Sequence, residues 1–280
     1  IAYGEIGDHH KKKELLERSL AIKLKYHDFE HYEVALTLSY LGNSCGELDE
    51  HQKKKDLLEL ALPILEKHYG TEHCQLAMTL DNLGNAYGEL GDFMKQNALL
   101  ERSLAIKKRH YGAKHYEVAK TLGYLGNVYR TIRDNHNKKK KLLERALAIE
   151  EKQYGTEHYQ VAITLDNLGK AYGGLGNHKK QKELFERAVA IKEKHYGTEH
   201  YQVAKTLDNL GNAYGNLGDH NKKKELLERS LAIKEKHYGP EHYEVAVTLD
   251  HLGTAYGDLG DHEKKKELRE RAAVNKKLKK

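Results

Sequence analysis

Apolar positions along residues 198–239, TEHYQVAKTLDNLGNAYGNLGDHNKKKELLERSLAIKEKHYG, recur at helical spacing twice over. Val203, Leu207, Leu210, Gly211, Tyr214 and Leu217 fall at i, i+4, i+7, i+8, i+11 and i+14, the stripe of an amphipathic helix. Leu226, Leu227, Ser230, Leu231 and Ile233 form a second stripe. Between them, Gly218 suits the position just past a helix end and Asp219 suits the cap of the next helix. The segment reads as two antiparallel helices of roughly five turns each, joined by a short link. Near copies of the first half stand at 80–92 (LDNLGNAYGELGD), 165–177 (LDNLGKAYGGLGN) and 249–261 (LDHLGTAYGDLGD), with weaker ones at 38–50 and 122–134. The Leu-Gly pairs begin at Leu41, Leu83, Leu125, Leu168, Leu210 and Leu252, in steps of 42, 42, 43, 42 and 42 residues. A fixed period of about 20–50 residues marks a repeat array whose units bury their apolar faces against their neighbours.

One array over 1–280 is expected, with a partial first repeat at 1–28. Full repeats are expected at about 29–70, 71–112, 113–155, 156–197, 198–239 and 240–280. The 43-residue step places an extra residue near Asn135. The opening IAYGEIGDHH matches a repeat only from its middle, as in a fragment of a longer array. In the last repeat Arg269 and Asn275 replace the equivalents of Leu227 and Ile233, the polar face expected of a capping helix.

Leu207-x-x-Leu210-Gly211-x-x-Tyr214 resembles half of the tetratricopeptide repeat (TPR) pattern, with Leu where Trp often stands. The 42-residue unit, the Tyr-Gly-Pro-Glu-His link and the Leu-Ala-Ile-Lys-Glu-Lys stretch look most like the repeats of kinesin light chains. They also resemble the arrays that follow the nucleotide-binding module of STAND-type signalling ATPases. The resemblance implies an all-α, right-handed superhelical solenoid of antiparallel helix pairs. Two slots depart from the family. The early second-helix slot, usually Ala, holds Lys12, Lys54, Gln96, Lys139, Gln181, Lys223 and Lys265, whose stems would cover apolar surface. The slot after the capping residue, usually Tyr, is mostly His.

On the opposite side of the first helix, Lys205, Asp208, Asn209, Asn212, Gly215 and Asn216 form a polar stripe. The resemblance puts first helices along the concave surface, and so this stripe in a groove. Its slots read Tyr40, Asn82, Tyr124, Asn167, Asn209 and His251, then Asn43, Asn85, Asn127, Lys170, Asn212 and Thr254, with Asp81, Asp166 and Asp208 in the preceding slot. A carboxamide both donates and accepts, so neighbouring asparagines can pair with the backbone of an extended peptide. Asn is a poor interior helix former, which makes its recurrence informative. The resemblance implies the same use, a scaffold or adaptor holding a peptide segment in its groove. Asp-rich first helices and Lys-rich second helices predict an acidic-to-neutral groove favouring peptides with some Lys or Arg. Gly215 is read as a bare stretch of groove floor. The alternative is the sensor or self-association region of a larger STAND-type ATPase, stacking end to end through the cut first repeat.

Charge changes this picture little. The 48 basic and 42 acidic residues leave a net +6, and runs such as KKKELLER set opposite charges within a turn of each other. That is a solvated helix face and not a nucleic-acid stripe. No Trp is present and Phe numbers 3, so stacking platforms for single strands are missing. Cys45 and Cys74 lie too far apart in the repeat to bridge, which suits a reducing, cytoplasmic setting. No apolar run long enough to span a bilayer is present. The histidine ladders (His31, His73, His115, His158, His200, His242; and His68, His110, His195, His237) are spaced a repeat apart and are read as helix-end residues, not metal ligands. Tyr3, Tyr87, Tyr129, Tyr172, Tyr214 and Tyr256 are read as core packing with the hydroxyl at an edge. No nucleophile stands with a base and an orienting acid, so no enzyme and no cofactor is expected, and the partner is a protein or peptide.

Overall fold

The computed structural model describes residues 8–129 and 135–277. Thirteen helices and no strands occur among them, in two compact units, 1–134 and 135–280. The first unit holds α1 (His9–Tyr26), α2 (Tyr32–Glu47), α3 (His51–Tyr69), α4 (Cys74–Glu89), α5 (Phe93–Tyr111) and α6 (Tyr116–Val128). The second holds α7 (His136–Tyr154), α8 (Tyr159–Gly174), α9 (His178–Tyr196), α10 (Tyr201–Asn216), α11 (His220–Tyr238), α12 (Tyr243–Asp258) and α13 (His262–Lys277). Tyr3 and the link with the extra residue, 130–134, lie outside the described residues.

Local chemistry starts and stops each helix. The first helices of the pairs begin after His31, His73, His115, His158, His200 and His242, whose Nδ1 accepts the backbone N–H two residues on at 3.1–3.3 Å. The second helices α1, α5, α9, α11 and α13 begin after Asp8, Asp92, Asn177, Asp219 and Asp261, each accepting from the N–H three residues on. Such caps satisfy donors that the first turn leaves free. Gly218 ends α10 at φ +85°, a left-handed conformation that favours glycine. Asp49 takes the same place between α2 and α3 at φ 60°.

Pairing follows from the stripes. A Cβ on Gly211 would stand 3.1 Å from Leu227 Cγ and 3.3 Å from the Lys223 carbonyl, so glycine lets α10 and α11 approach closely. Val203, Ala204, Leu207 and Leu210 of α10 are buried with Phe185 and Val189 of α9 and Leu226 and Ile233 of α11. Within each unit, α2, α4, α8, α10 and α12 are therefore each clamped between the second helix before and the one after. Burial of such aliphatic side chains, at about 1.5–3 kcal/mol each, holds the stack together.

Candidate functional site

The uncovered side of the first helices carries the carboxamides. In the first unit Asn43, Asn82 and Asn85 are half-buried on α2 and α4, with Asn127 exposed on α6. Tyr40 is exposed and Tyr124 half-buried beside them. In the second unit Asn167, Asn209 and Asn212 are half-buried and Asn216 exposed, on α8 and α10. Among the described residues no group pairs with the carboxamides of Asn82, Asn85, Asn127, Asn167 or Asn209. Asn212 lies 3.4 Å from the Nδ1 of His251, and Asn216 is 3.4 Å from that of His178. Burial holds the half-buried His251 below its ordinary pKa.

Asp81, Asp166 and Asp208, expected on this stripe, do not lie on an open surface. They are 5%, 9% and 6% exposed and turn into the seam with the next repeat. Lys107 reaches Asp81 at 2.6 Å, and the Thr121 hydroxyl donates to the same carboxylate at 3.0 Å. Asp208 accepts from Lys234 at 2.5 Å and from Thr248 at 2.9 Å, and Asp166 is held by Lys192 and Thr206 in the same way. Each lysine is thus enclosed by its own repeat's first helix and the next one. The physical reason is helical phase. The slot before Asn209 is turned about 100° towards the second helix, at 3.6 residues per turn. With these carboxylates neutralised inside, Asp81, Asp166 and Asp208 add little negative charge to the groove expected to be acidic to neutral. The exposed charges among these slots include Lys120 and Lys205.

The buried lysines were missed because they read as part of a solvated basic run. A signal was available in the repeat register. Lys107, Lys192, Lys234 and Lys276 each stand 26 residues after an aspartate, at Asp81, Asp166, Asp208 and Asp250. Where the aspartate slot holds Ser39 or Gly123, the lysine slot holds Leu65 or Glu150.

Gly215 also has a packing role in place of the expected bare floor. A Cβ there would come within 2.6 Å of Lys223 Cδ, and the same notch recurs between Gly46 and Lys54 and between Gly257 and Lys265. Glycine on the first helix makes room for the long residue that stands where the family usually has alanine. The Lys223 ammonium continues to Asp258 of α12 at 3.1 Å. Asn275, expected on a polar outer face, is 2% exposed and donates to the Pro240 carbonyl at 2.7 Å.

Tyr172, Tyr214 and Tyr256 donate to Glu144, Glu186 and Glu228 of the preceding second helices at 2.6 Å each. Donation to a carboxylate pushes these phenols up to about 12. The histidine ladders serve as caps and ring stacks, and no cluster of three metal-ligating side chains occurs among the described residues. Both cysteines are free thiols, and burial pushes Cys45 up to about 11. No helix among the described residues is long and apolar enough to cross a membrane.

Tetratricopeptide repeat sequence profiles match residues 133–194, 182–236 and 202–264, and a second such profile matches 76–117. No curated protein sequence matches the chain. Among solved structures, nearly identical TPR-like repeats assigned to a kinesin light chain of Podosopora anserina share 26% identity, with a TM-score of 0.63 over 75% of this chain and 99% of that one. BtubC (BKLC) from P. vanneervenii aligns at 21% identity and a TM-score of 0.67, over 82% of this chain and 92% of that one. A Signal Transduction ATPase with Numerous Domains (STAND) protein with a tetratricopeptide repeat sensor, from Pyrococcus horikoshii, aligns at 16% identity and a TM-score of 0.70, over 96% of this chain and 39% of that one. Matched over well over half of its length and built from consecutive helix pairs, the chain belongs to the tetratricopeptide repeat family, with repeats like those of kinesin light chains.

Proposed function

We propose that the chain is a protein-interaction scaffold that holds an extended peptide along its first helices, chiefly through asparagine carboxamides. The observation that carries this reading is the set of half-buried or exposed carboxamides with no partner among the described residues, Asn82, Asn85, Asn127, Asn167 and Asn209. A carboxamide that donates and accepts at once suits the N–H and C=O of an extended backbone. Tyr40, Tyr124 and the exposed Met78 give the first unit apolar surface for side chains. With Asp81, Asp166 and Asp208 enclosed, recognition rests on backbone pairing and apolar contact, without a preference for basic peptides.

The test is a peptide-array screen followed by two variants, N82A/N85A/N127A and N167A/N209A/N212A. Affinity for selected peptides is expected to fall at least tenfold in one of them. Stability should change by no more than about 0.5 kcal/mol per surface substitution. Unchanged binding in both variants removes the carboxamide reading.

The sensor reading has a likeness of fold to the Pyrococcus horikoshii protein and one observation of its own. On α1, Leu15 and Ile22, seven residues apart and so on one face, are 38% and 56% exposed, an apolar patch suited to self-association. Concentration-dependent sedimentation that disappears in Ile22→Glu would favour that reading.

A further inference from the structure

The repeat links of the second unit carry an unbroken run of aromatic rings. Tyr154 stacks on His158, Tyr159 on His195, Tyr196 on His200, Tyr201 on His237 and Tyr238 on His242, with centroids 4.6–4.9 Å apart. Tilted and edge contacts at 4.4–4.6 Å join these pairs end to end. His158, His200 and His242 of the run also start α8, α10 and α12, through Nδ1 bonds of 3.1–3.2 Å from backbone N–H groups. Three helix starts and three repeat links therefore share one chain of rings.

An imidazole can cap in this way only while Nδ1 keeps its lone pair, with the proton on Nε2. An imidazolium has two donors and no acceptor. Protonation breaks the cap bond and sets a cation at the positive end of the helix dipole. The neighbours make this worse. His237 of α11 lies across Tyr201 from His200, and two imidazolium ions in one stack repel. Charged groups near the run include Lys205, 5.5 Å from the Tyr201 ring centre, Glu244, whose charge acts on Tyr238 and which pairs with Lys234 at 3.7 Å, and Glu157, Glu199 and Glu241, which directly precede the cap histidines.

We propose that this ring ladder is an acid-sensitive latch: a proton placed on a cap imidazole breaks its Nδ1 bond, so that acid loosens the repeat links of the second unit together. Burial first, and then His237, hold His200 below its ordinary value of 6.5. The folded chain thus binds that proton less readily than the unfolded chain. Stability is intact above the ordinary imidazole range and falls as pH drops through it. The first unit supplies a comparison, because Cys74 stands where the matching position elsewhere is tyrosine, and its ring run is interrupted between His73 and His110.

Asparagine is a preferred helix cap that does not titrate. The triple variant H158N/H200N/H242N should keep wild-type helicity at pH 7.5. Urea midpoints at pH 7.5 and 5.5 should show a marked acid loss in the wild type and less than half of that loss in the variant. An equal loss in both proteins overturns the proposal. Glu150, which titrates with the opposite sign, is present in both proteins and cancels in the difference. Should the triple variant not fold, proton NMR titration of the wild-type imidazoles decides. Titration of His200 at or above the ordinary value overturns the latch, and a depressed, cooperative titration supports it. Peptide affinity at pH 7.5 is untouched by this proposal, so its failure and that of the scaffold reading are separately visible.

Discussion

The Lys234 ammonium is held by Asp208 and Thr248 at 1% residue exposure, while Asp208 Oδ1 has no partner among the described residues. A buried pair of this kind gains little over apolar residues of the same size, yet removing one partner strands a charge. Lys234→Met should therefore cost about 3–5 kcal/mol in urea unfolding, and adding Asp208→Leu should recover most of it. A double variant no better than the single one would show that the pair is not the source of the loss. The Gly215–Lys223 notch gives a second case. Gly215→Ala is expected to cost about 1–3 kcal/mol by overpacking. Gly215→Ala with Lys223→Ala should return near the wild-type midpoint, because the pair then has the small second-helix residue usual in the family.

Helix seams differ in what fills one shared position. Between α7 and α8 the lysine seat holds Glu150, which is 2% exposed and bonded to Thr164, with no partner at Oε2 among the described residues. Burial, with Glu151 adding to it, pushes this carboxyl up to about 7. The folded chain holds that proton more tightly than the unfolded chain does. Its contribution is therefore full below the ordinary carboxyl value of 4.5 and is lost as pH rises through about 7. Glu150→Gln is neutral at every pH, so its advantage should grow from near zero at pH 5 to about 1–3 kcal/mol at pH 8 in urea titrations. A pH-independent difference would contradict this. At the α2–α3 turn, Asp49→Gly should stabilise by about 0.5–1 kcal/mol, since glycine adopts φ 60° without a Cβ penalty.

Across each unit, helices pack on their sequence neighbours, and first helices touch the first helices of adjoining repeats only. Stability in such an array is close to a sum of nearest-neighbour terms, so damage stays local. Lys234→Met should accelerate hydrogen exchange in α10, α11 and α12 and leave the amides of α2 to α5 at wild-type protection. Uniform loss of protection over all helices would mean that the chain unfolds as one cooperative body.

Period, helix pairing and helix boundaries could be read from the sequence alone, because spacing, Gly218 and Asp219 act over a single turn of chain. The carboxamide stripe was legible for the same reason, since residues three and four apart share a helix face. Which neighbour of that stripe faces water depended on phase against a second and a third helix. Asp208, one residue before Asn209, is drawn inside by Lys234 from 26 residues away and Thr248 from 40. Lys234 itself reads as a surface charge until three helices close around it. Gly215 gained its reason only from Lys223 across the pair, and the histidines their ring ladder only from links folded one repeat apart. Sequence by itself determined the repeated local structure, whose forces act between near neighbours. Tertiary structure alone decided which polar groups were enclosed and which stayed exposed, because that depends on surfaces contributed by different repeats.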